Sequence, residues 1–222
     1  MRAAIFYAPE ARDPLSQAGA IWLGRDAITG ADLPHASPKL AGITRSPARY
    51  GFHATLKPPM YLKGTLKALS ADIAALAARI APFDLPSLEI GLIGDALALL
   101  VANPSPALQS LCDACVRELD HHRLPPSEAE LARRHQMPLS PLERSLLARW
   151  GYPYVFERWC FHMTISVALP PKAQAAWRTL AQEHFAPSLT TPRKVTSLAL
   201  FTEQQDGEGF RLEQRFLLTG PA

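Results

Sequence analysis

The chain has 222 residues, of which 48% are apolar and 19% are charged, and its formal net charge at pH 7 is +3. A chain of this length buries roughly 70% of its unfolded surface, so it needs no disulfides to fold. The composition is that of an ordinary soluble globular protein, and the small net charge argues against a groove for long nucleic acids. It is compatible with a small anionic ligand.

The cysteines and the first residues indicate the cellular compartment. Cys112, Cys115 and Cys160 are an odd number without the spacing of a secreted scaffold, which favours a reducing environment. The opening segment MRAAIFYAPEARDP has too short an apolar run for a signal peptide, and no later run reaches membrane-spanning length. We therefore expect a cytoplasmic protein with no membrane partner. The sequence does not indicate its oligomeric state.

The first elements in chain order are two strands separated by an irregular stretch. RAAIFYA is predicted as a strand that ends at Pro9. The stretch from Glu10 to Arg49 is rich in glycine and proline, and its one helix signal covers Leu15 to Leu23. The segment YGFHATLK is then predicted as a strand that stops at Pro58-Pro59, because proline cannot donate to a sheet ladder.

A helix and a hairpin follow the second strand. Apolar residues recur at helical spacing from Thr65, and Pro82 is expected to end this helix. Two strands then flank a turn at Gly94-Asp95. We take residues 1–104 as a first lobe of the domain.

The middle segment, residues 105–151, has helical periodicity. The sequence SPLE at Ser140 has the spacing of a capping box, and we expect the helix that begins there to end at Gly151. The sequence does not show whether this segment covers a site, packs on a lobe or contacts a partner.

The remaining residues, 152–222, repeat the order of the first lobe. WCFHMTISVAL is predicted as a strand that stops at Pro170-Pro171, and PKAQAAWRTLAQEHF as a helix that begins with proline. Two strands joined by the turn-rich segment QQDGEG follow. Each half is therefore a strand with a Phe-His-x-Thr motif, then a helix, then a hairpin, which indicates an internal duplication.

The two motifs present the same side chains on one face of a strand. Residues two apart in a strand share a face, so His53 lies beside Thr55, and His162 beside Thr164. The neighbours of these residues point to the opposite, apolar face, which we expect to be core: Phe52, Ala54, Leu56, Phe161, Met163 and Ile165.

Two imidazoles and two hydroxyls suit the cleavage of a phosphodiester. One neutral histidine can accept a proton while the other, protonated, donates one to the departing oxygen. The hydroxyls can donate hydrogen bonds to the phosphoryl oxygens, whose charge grows in the transition state. This arrangement requires no metal or other cofactor. Each histidine alone could equally be a structural ring bonded to a backbone carbonyl, but the repeated setting favours a shared site.

The paired motifs FHAT and FHMT, one in each half, resemble the 2H phosphoesterase superfamily. The longer stretches RYGFHATLKPP, AGAIWLGRDAITG and RWCFHMTI look like its branch of uncharacterised proteins from phosphonate-degradation operons, and this resemblance covers essentially the whole chain. It implies an α+β, bilobal fold in which two antiparallel sheets are related by a pseudo-twofold axis, with outer helices and a central cleft.

The resemblance also implies metal-independent cleavage of cyclic phosphodiesters or 2′,5′-linked bonds. By position, His53 and His162 would be the acid–base pair, and Thr55 and Thr164 the phosphate ligands. The operon setting suggests a ribose cyclic phosphate from carbon–phosphorus bond cleavage as the substrate. Two alternatives stay open, namely a non-catalytic protein that binds a phosphorylated nucleotide or sugar, and a 2′,5′-RNA phosphodiesterase or ligase.

Four further residues are weaker candidates for substrate binding. Lys57 shares the strand face of Thr55 and could add positive charge, although a lysine at a strand end commonly points to solvent. Tyr7 and Tyr154 could stack on a sugar or base, or be packed aromatics. Arg49 could bind phosphate bidentately, or be a surface charge.

Two other patterns are interpreted as structural. The CDAC sequence at Cys112 and Cys115 has metal or redox spacing but lies in a helical pattern without a second ligand pair. His121, His122 and His135 lie among charged residues, where a solvated surface is the simpler interpretation.

Overall fold

A computed structural model describes residues 1–128, 131–132, 136 and 138–221. The nine strands within these residues are Arg2–Tyr7 (β1), Ala54–Tyr61 (β2), Phe83–Leu85 (β3), Leu88–Ile93 (β4), Ala96–Val101 (β5), His162–Ala168 (β6), Arg193–Val195 (β7), Ser197–Glu203 (β8) and Arg211–Leu217 (β9). The α-helices of more than one turn in the same residues are Pro14–Leu23 (α1), Ala41–Ala48 (α2), Leu66–Ala77 (α3), Pro106–Glu118 (α4), Pro141–Trp150 (α5) and Pro171–Leu189 (α6).

The strands form two main antiparallel sheets. One has the order β2-β1-β8-β9 and the other the order β4-β5-β6, while β3 and β7 form a separate antiparallel pair. Helices pack against both sheets, with α4 on β2, α3 on β8 and β9, and α6 on β4. The predicted α+β class with two antiparallel sheets and packed helices is confirmed.

The two sheets do not follow the predicted lobes. Residues 1–104 and 152–222 each contribute strands to both sheets, because β8 and β9 complete the sheet of β2, and β4 and β5 that of β6. Packing between paired strands explains why each half completes a sheet of the other half. Ile5 lies opposite Leu200, and Leu99 lies opposite Met163, and all four side chains are fully buried. The order of elements along the chain does not determine which strands pair.

The expected stop at Pro58-Pro59 is also wrong. Both prolines lie inside β2, which continues to Tyr61. This is tolerated because β2 is an edge strand, paired within its sheet only with β1, and because the register of that pair shifts between Lys57 and Met60. Proline has no N–H to donate, so edge strands and bulges are the places where a sheet accepts it.

The helix ends follow the sequence signals closely. Asp13 accepts a hydrogen bond from the Leu15 N–H at the start of α1. Ser140 and Glu143 form the predicted capping box of α5, which ends before Gly151. The other prolines, Pro170-Pro171, do separate β6 from α6 as predicted.

The sequence did not indicate α2, which lies in the glycine- and proline-rich stretch. It has only eight residues and contains Pro47. Packing makes up for this poor propensity, since α2 lies against β6. In the described ranges, no helix combines the length and the apolar character that a bilayer crossing requires.

Candidate active site

A cleft of about 890 Å³ brings the two motif strands together. Both β2 and β6 are edge strands of their sheets. The residues that line the cleft include His53, Thr55 and Thr164, together with Arg2, Arg49 and Tyr50, whereas His162 is not among them. The two halves of the sequence thus contribute to one cavity, as the motif faces predict.

The imidazole of His53 is fixed by its own backbone and by an aromatic ring. Its Nδ1 lies 2.9 Å from the carbonyl oxygen of Gly51, and its ring stacks on Phe6 at 3.7 Å between centroids. Gly51 has φ 78°, and a side chain there would collide with Ala27. Only glycine therefore fits at the position that brings this carbonyl to Nδ1 of His53.

His162 has the same backbone contact. Its Nδ1 lies 2.8 Å from the carbonyl oxygen of Cys160, again two residues earlier. A carbonyl can only accept, so each Nδ1 carries a proton, and each neutral ring keeps its lone pair on Nε2. The Nε2 of His53 lies 3.2 Å from Oγ1 of Thr55, which donates to it, whereas Nε2 of His162 has no hydrogen-bond partner in the part of the chain that the structure describes.

Burial keeps the His53 ring in its neutral form. Burial, which includes the stack on Phe6, lowers the pKa of His53 from 6.5 to about 4; the Gly51 carbonyl opposes this shift, and the charge of His162 adds a smaller lowering effect. His53 is therefore neutral at pH 7, with an unprotonated Nε2. That is the state of a general base.

This low pKa makes folding stability depend on pH. Between pH 6.5 and about 4 the unfolded chain binds a proton at His53 that the folded chain does not. The free energy of unfolding should therefore be fully retained above pH 6.5 and fall as the pH drops through this window. His53→Gln should flatten this part of the profile, measured by urea unfolding at several pH values. A variant with the wild-type slope would contradict the assignment.

Each motif strand is held by an indole from the other half of the chain. Trp159 Nε1 donates to the carbonyl oxygen of Thr55 at 2.8 Å, and Trp22 Nε1 donates to that of Ile165 at 2.8 Å. The six apolar motif neighbours are at most 8% exposed, as the core interpretation predicts. The polar faces are therefore positioned from behind by packed side chains.

Lys57 does not reach the cleft, contrary to its predicted role near the phosphate. Its side chain is only 2% exposed, and Nζ lies 3.0 Å from Oδ1 of Asp120 and 3.2 Å from the carbonyl oxygen of Val116. The register shift in β2 and the contact with α4 direct it into the interior. Burial lowers the pKa of Lys57, against the opposing charge of Asp120.

Neither tyrosine candidate lines the cleft, where it could stack on a sugar or base. Tyr7 is 4% exposed and packs against Phe161 at 5.7 Å, and burial raises the pKa of its hydroxyl. It is a packed aromatic. Tyr154 is 38% exposed and contacts Tyr152 edge to face, and of these two it is Tyr152 that lines the cleft.

Arg49 does lie in the cleft wall, with partners that the sequence did not suggest. Its Nε and Nη2 each lie 2.8 Å from Oε1 of Glu203, which also pairs with Arg2. Hydrogen bonds from both arginines hold the pKa of the buried Glu203 at about 2, despite the cost of its burial. No motif marks Arg2 or Glu203. The register of β1 with β8, which places them opposite each other, was not predicted from the sequence.

The cysteines of CDAC are core residues of α4. Both are buried, and the Cys112 thiol donates to the carbonyl oxygen of Leu56. Burial raises the pKa of Cys115 to about 12 and raises that of Cys112 further. Thiols held in the protonated form are poor metal ligands and poor nucleophiles, which agrees with the structural interpretation.

The histidine pair after α4 is only partly a solvated surface. His121 is exposed as expected, but the side chain of His122 is 7% exposed. Both Nε2 atoms lie within 2.9 Å of Oδ2 of Asp72, which ties α3 to the turn after α4. His135 lies outside the described residues.

The pattern of a protein family described as "Protein of unknown function (DUF1045)" matches residues 55–211, well over half of the chain. The chain belongs to the DUF1045 family. The match begins at Thr55, so it includes both threonines and His162 of the paired motifs, and His53 lies just before it.

Curated relatives of this DUF1045 chain are longer than it is. It is 34% identical over 236 residues to a protein of Janthinobacterium sp. (strain Marseille) named ribose 1,5-bisphosphate phosphokinase PhnN, with 99% of this chain and 51% of that protein covered. A protein of the same name from Laribacter hongkongensis (strain HLHK9) is 36% identical over 218 residues, with 96% and 50% covered. The DUF1045 chain thus spans about half the length of these relatives.

Solved structures are also similar to the DUF1045 chain. The protein TT0787 of Thermus thermophilus is 14% identical, and the match covers 100% of both chains with a TM-score of 0.48. E. coli LigT complexed with 3′-AMP is 16% identical, and the match covers 98% of both chains with a TM-score of 0.45.

Proposed function

We propose that this protein hydrolyses a small cyclic phosphodiester, with His53 and His162 as a general base and a general acid. The observation that carries the proposal is the shared orientation of the two rings. Each Nδ1 is bonded to the carbonyl two residues earlier, and the two strands meet at one cleft. That geometry leaves Nε2 of His162 for proton transfer, and Nε2 of His53 becomes available when the Thr55 hydroxyl turns from it to the phosphoryl group.

The chemistry balances with these two residues. Nε2 of His53 accepts a proton from water as the water oxygen bonds to phosphorus, and protonated His162 donates a proton to the ring oxygen whose bond to phosphorus breaks. The product is a phosphate monoester with a free hydroxyl. The two rings then exchange their protonation states through solvent before the next turnover.

The hydroxyls of Thr55 and Thr164 are suited to hold the phosphoryl group. They can donate to its non-bridging oxygens, where charge develops in the transition state. A bound phosphate also changes His53, because a nearby negative charge raises the pKa of an imidazole towards the neutral range. Substrate binding would thereby strengthen the base that the empty cleft holds at a low pKa.

The names of the relatives support ribose as the sugar of the substrate. Both are named for ribose 1,5-bisphosphate, and this chain spans about half of each. When such a ring contains the anomeric oxygen and opens at its other phosphorus–oxygen bond, the product is a sugar 1-phosphate, so a ribose cyclic phosphate is a chemically consistent substrate. This agrees with the phosphonate context that the sequence resemblance suggests.

A panel of cyclic phosphates followed by phosphorus NMR tests the proposal. We expect conversion of at least one ribose or nucleotide cyclic phosphate to a monoester, at a rate unaffected by a chelator, since both proton transfers are assigned to histidines. A cyclic phosphate that binds but stays intact over a long incubation would instead indicate a binding protein. An activity lost with chelator would contradict the metal-independent mechanism.

A further inference from the structure

We propose that Arg2 and Arg49 form a second anion subsite in the cleft, which takes a phosphate monoester carried by the substrate at a distance from its cyclic phosphate. Asp206 partly occupies this subsite when no ligand is bound. The inference rests on the proposed function and deepens it, since it selects cyclic phosphates of sugars that bear a further phosphate group.

The first step is that Glu203 holds the two guanidinium groups in place. Its side chain is fully buried, with Arg2 on Oε2 and Arg49 on Oε1, and Oε1 also accepts the N–H groups of Gly207 and Gly209 at 3.2 Å. The arginine side chains are themselves 17% and 35% exposed. A buried carboxylate with this many donors fixes the geometry of both arginines before any ligand arrives.

The second step is that donors remain for a ligand. The contacts to Glu203 use Nε and Nη2 of each arginine. Within the described part of the chain, Nη1 of Arg2 and of Arg49 has no hydrogen-bond partner. Both residues line the cleft, so these donors lie at a wall that a substrate reaches. Two guanidinium groups match the charge and the oxygen geometry of a phosphate monoester.

The third step is that an anion already lies against this wall. Asp206, in the turn between β8 and β9, lines the cleft with 64% of its side chain exposed. Its Oδ1 lies 3.2 Å from Nε of Arg2, and its Oδ2 accepts a hydrogen bond of 2.6 Å from the Tyr61 hydroxyl. An exposed carboxylate on a turn is easily displaced, and a phosphate can take over the donors that it uses.

The last step is the position of the subsite relative to His53. The guanidinium of Arg49 lies 5.9 Å from the Tyr50 ring, whose centroid is 6.2 Å from that of His53. The guanidinium of Arg2 lies 5.3 Å from the Phe210 ring, which packs beside Phe6, the ring under His53. One aromatic ring thus lies between Arg49 and His53, and two lie between Arg2 and His53. Both arginines line the same cavity as His53.

The test compares two substrates that differ only in the remote phosphate, cytidine 2′,3′-cyclic phosphate and its 5′-phosphorylated form. We expect kcat/KM to favour the phosphorylated form about tenfold or more, since charge-assisted bonds are lost without it. Arg49→Met should bring the ratio towards one. Asp206→Asn should raise the ratio several-fold, because the competing carboxylate is gone. Arg79→Met, a surface arginine paired with Glu118, should keep the wild-type ratio.

A binding measurement separates this subsite from the proposed reaction. If neither substrate is hydrolysed, the proposed function fails, but calorimetry with ribose 5-phosphate still reports on the subsite. Binding that weakens in Arg49→Met and tightens in Asp206→Asn would support it. The subsite is overturned if Asp206→Asn, an exposed and therefore folded variant, leaves both the substrate ratio and ribose 5-phosphate binding as in the wild type.

Discussion

Replacing His53 or His162 with alanine is expected to lower kcat/KM for the cyclic phosphate about a thousandfold. Without His53, no group in its position accepts the proton of the attacking water. Without His162, the departing oxygen leaves as an unprotonated alkoxide. Because the two residues act in the same step, the double variant should lose little more than either single variant.

The matched control for these variants is His121→Ala, which removes an exposed imidazole outside the cleft. It should retain wild-type turnover. The pH profile of kcat/KM adds a second readout, because its acidic limb in the wild type should report the low pKa of His53 in the free enzyme. Full turnover by His53→Ala would remove this residue from the mechanism.

Asp120→Asn is expected to lower the free energy of unfolding by about 3 kcal/mol. The change leaves the ammonium group of Lys57 buried with only neutral oxygens near it. Asparagine also replaces one of the two carboxylate oxygens that accept hydrogen bonds from Arg123, at 2.8 and 2.9 Å, with an amide nitrogen that cannot accept. Deprotonation of Lys57 limits the loss, since burial already lowers the pKa of this lysine.

Lys57→Met is the matched comparison for that variant. It removes the buried charge itself and fills the space with an apolar side chain, while Asp120 keeps Arg123 as its partner. The expected change is about 1 kcal/mol or less. Urea unfolding midpoints measure both variants. Equal losses in the two would show that the buried charge is not what makes Asp120 necessary.

Local features of the fold were predictable from the sequence, and strand pairing was not. The capping box at Ser140, the turn at Gly94 and the helix after Pro170 are encoded within a few residues of each element. The partners of β1 depend on packing between residues almost two hundred positions apart. The predicted stop at the prolines of β2 was wrong because proline ends a central strand but not an edge strand, and the position of β2 in its sheet also depends on strand pairing.

The candidate site was predictable to the extent that it repeats. The His-x-Thr pairs have a signal because the motif occurs twice in the same setting, and His53, Thr55 and Thr164 line one cleft. Arg2 and Glu203 have no such signal, since their roles arise from a strand register. Lys57 shows why alternation along a strand is not enough to place a side chain. The register of β2 with β1 shifts next to this residue, and its side chain is buried instead of lying in the cleft.

The exchange of strands between the two halves has a consequence for biosynthesis. The ribosome makes β1 long before its neighbour β8, which begins at Ser197. Until β8 is made, β1 lacks one of its two neighbouring strands. The cleft then has no Glu203, and Arg2 is not held in position. Such long-range pairing predicts slow folding that follows synthesis rather than accompanying it. Nascent chains that end before β8 should therefore be unable to turn over substrate.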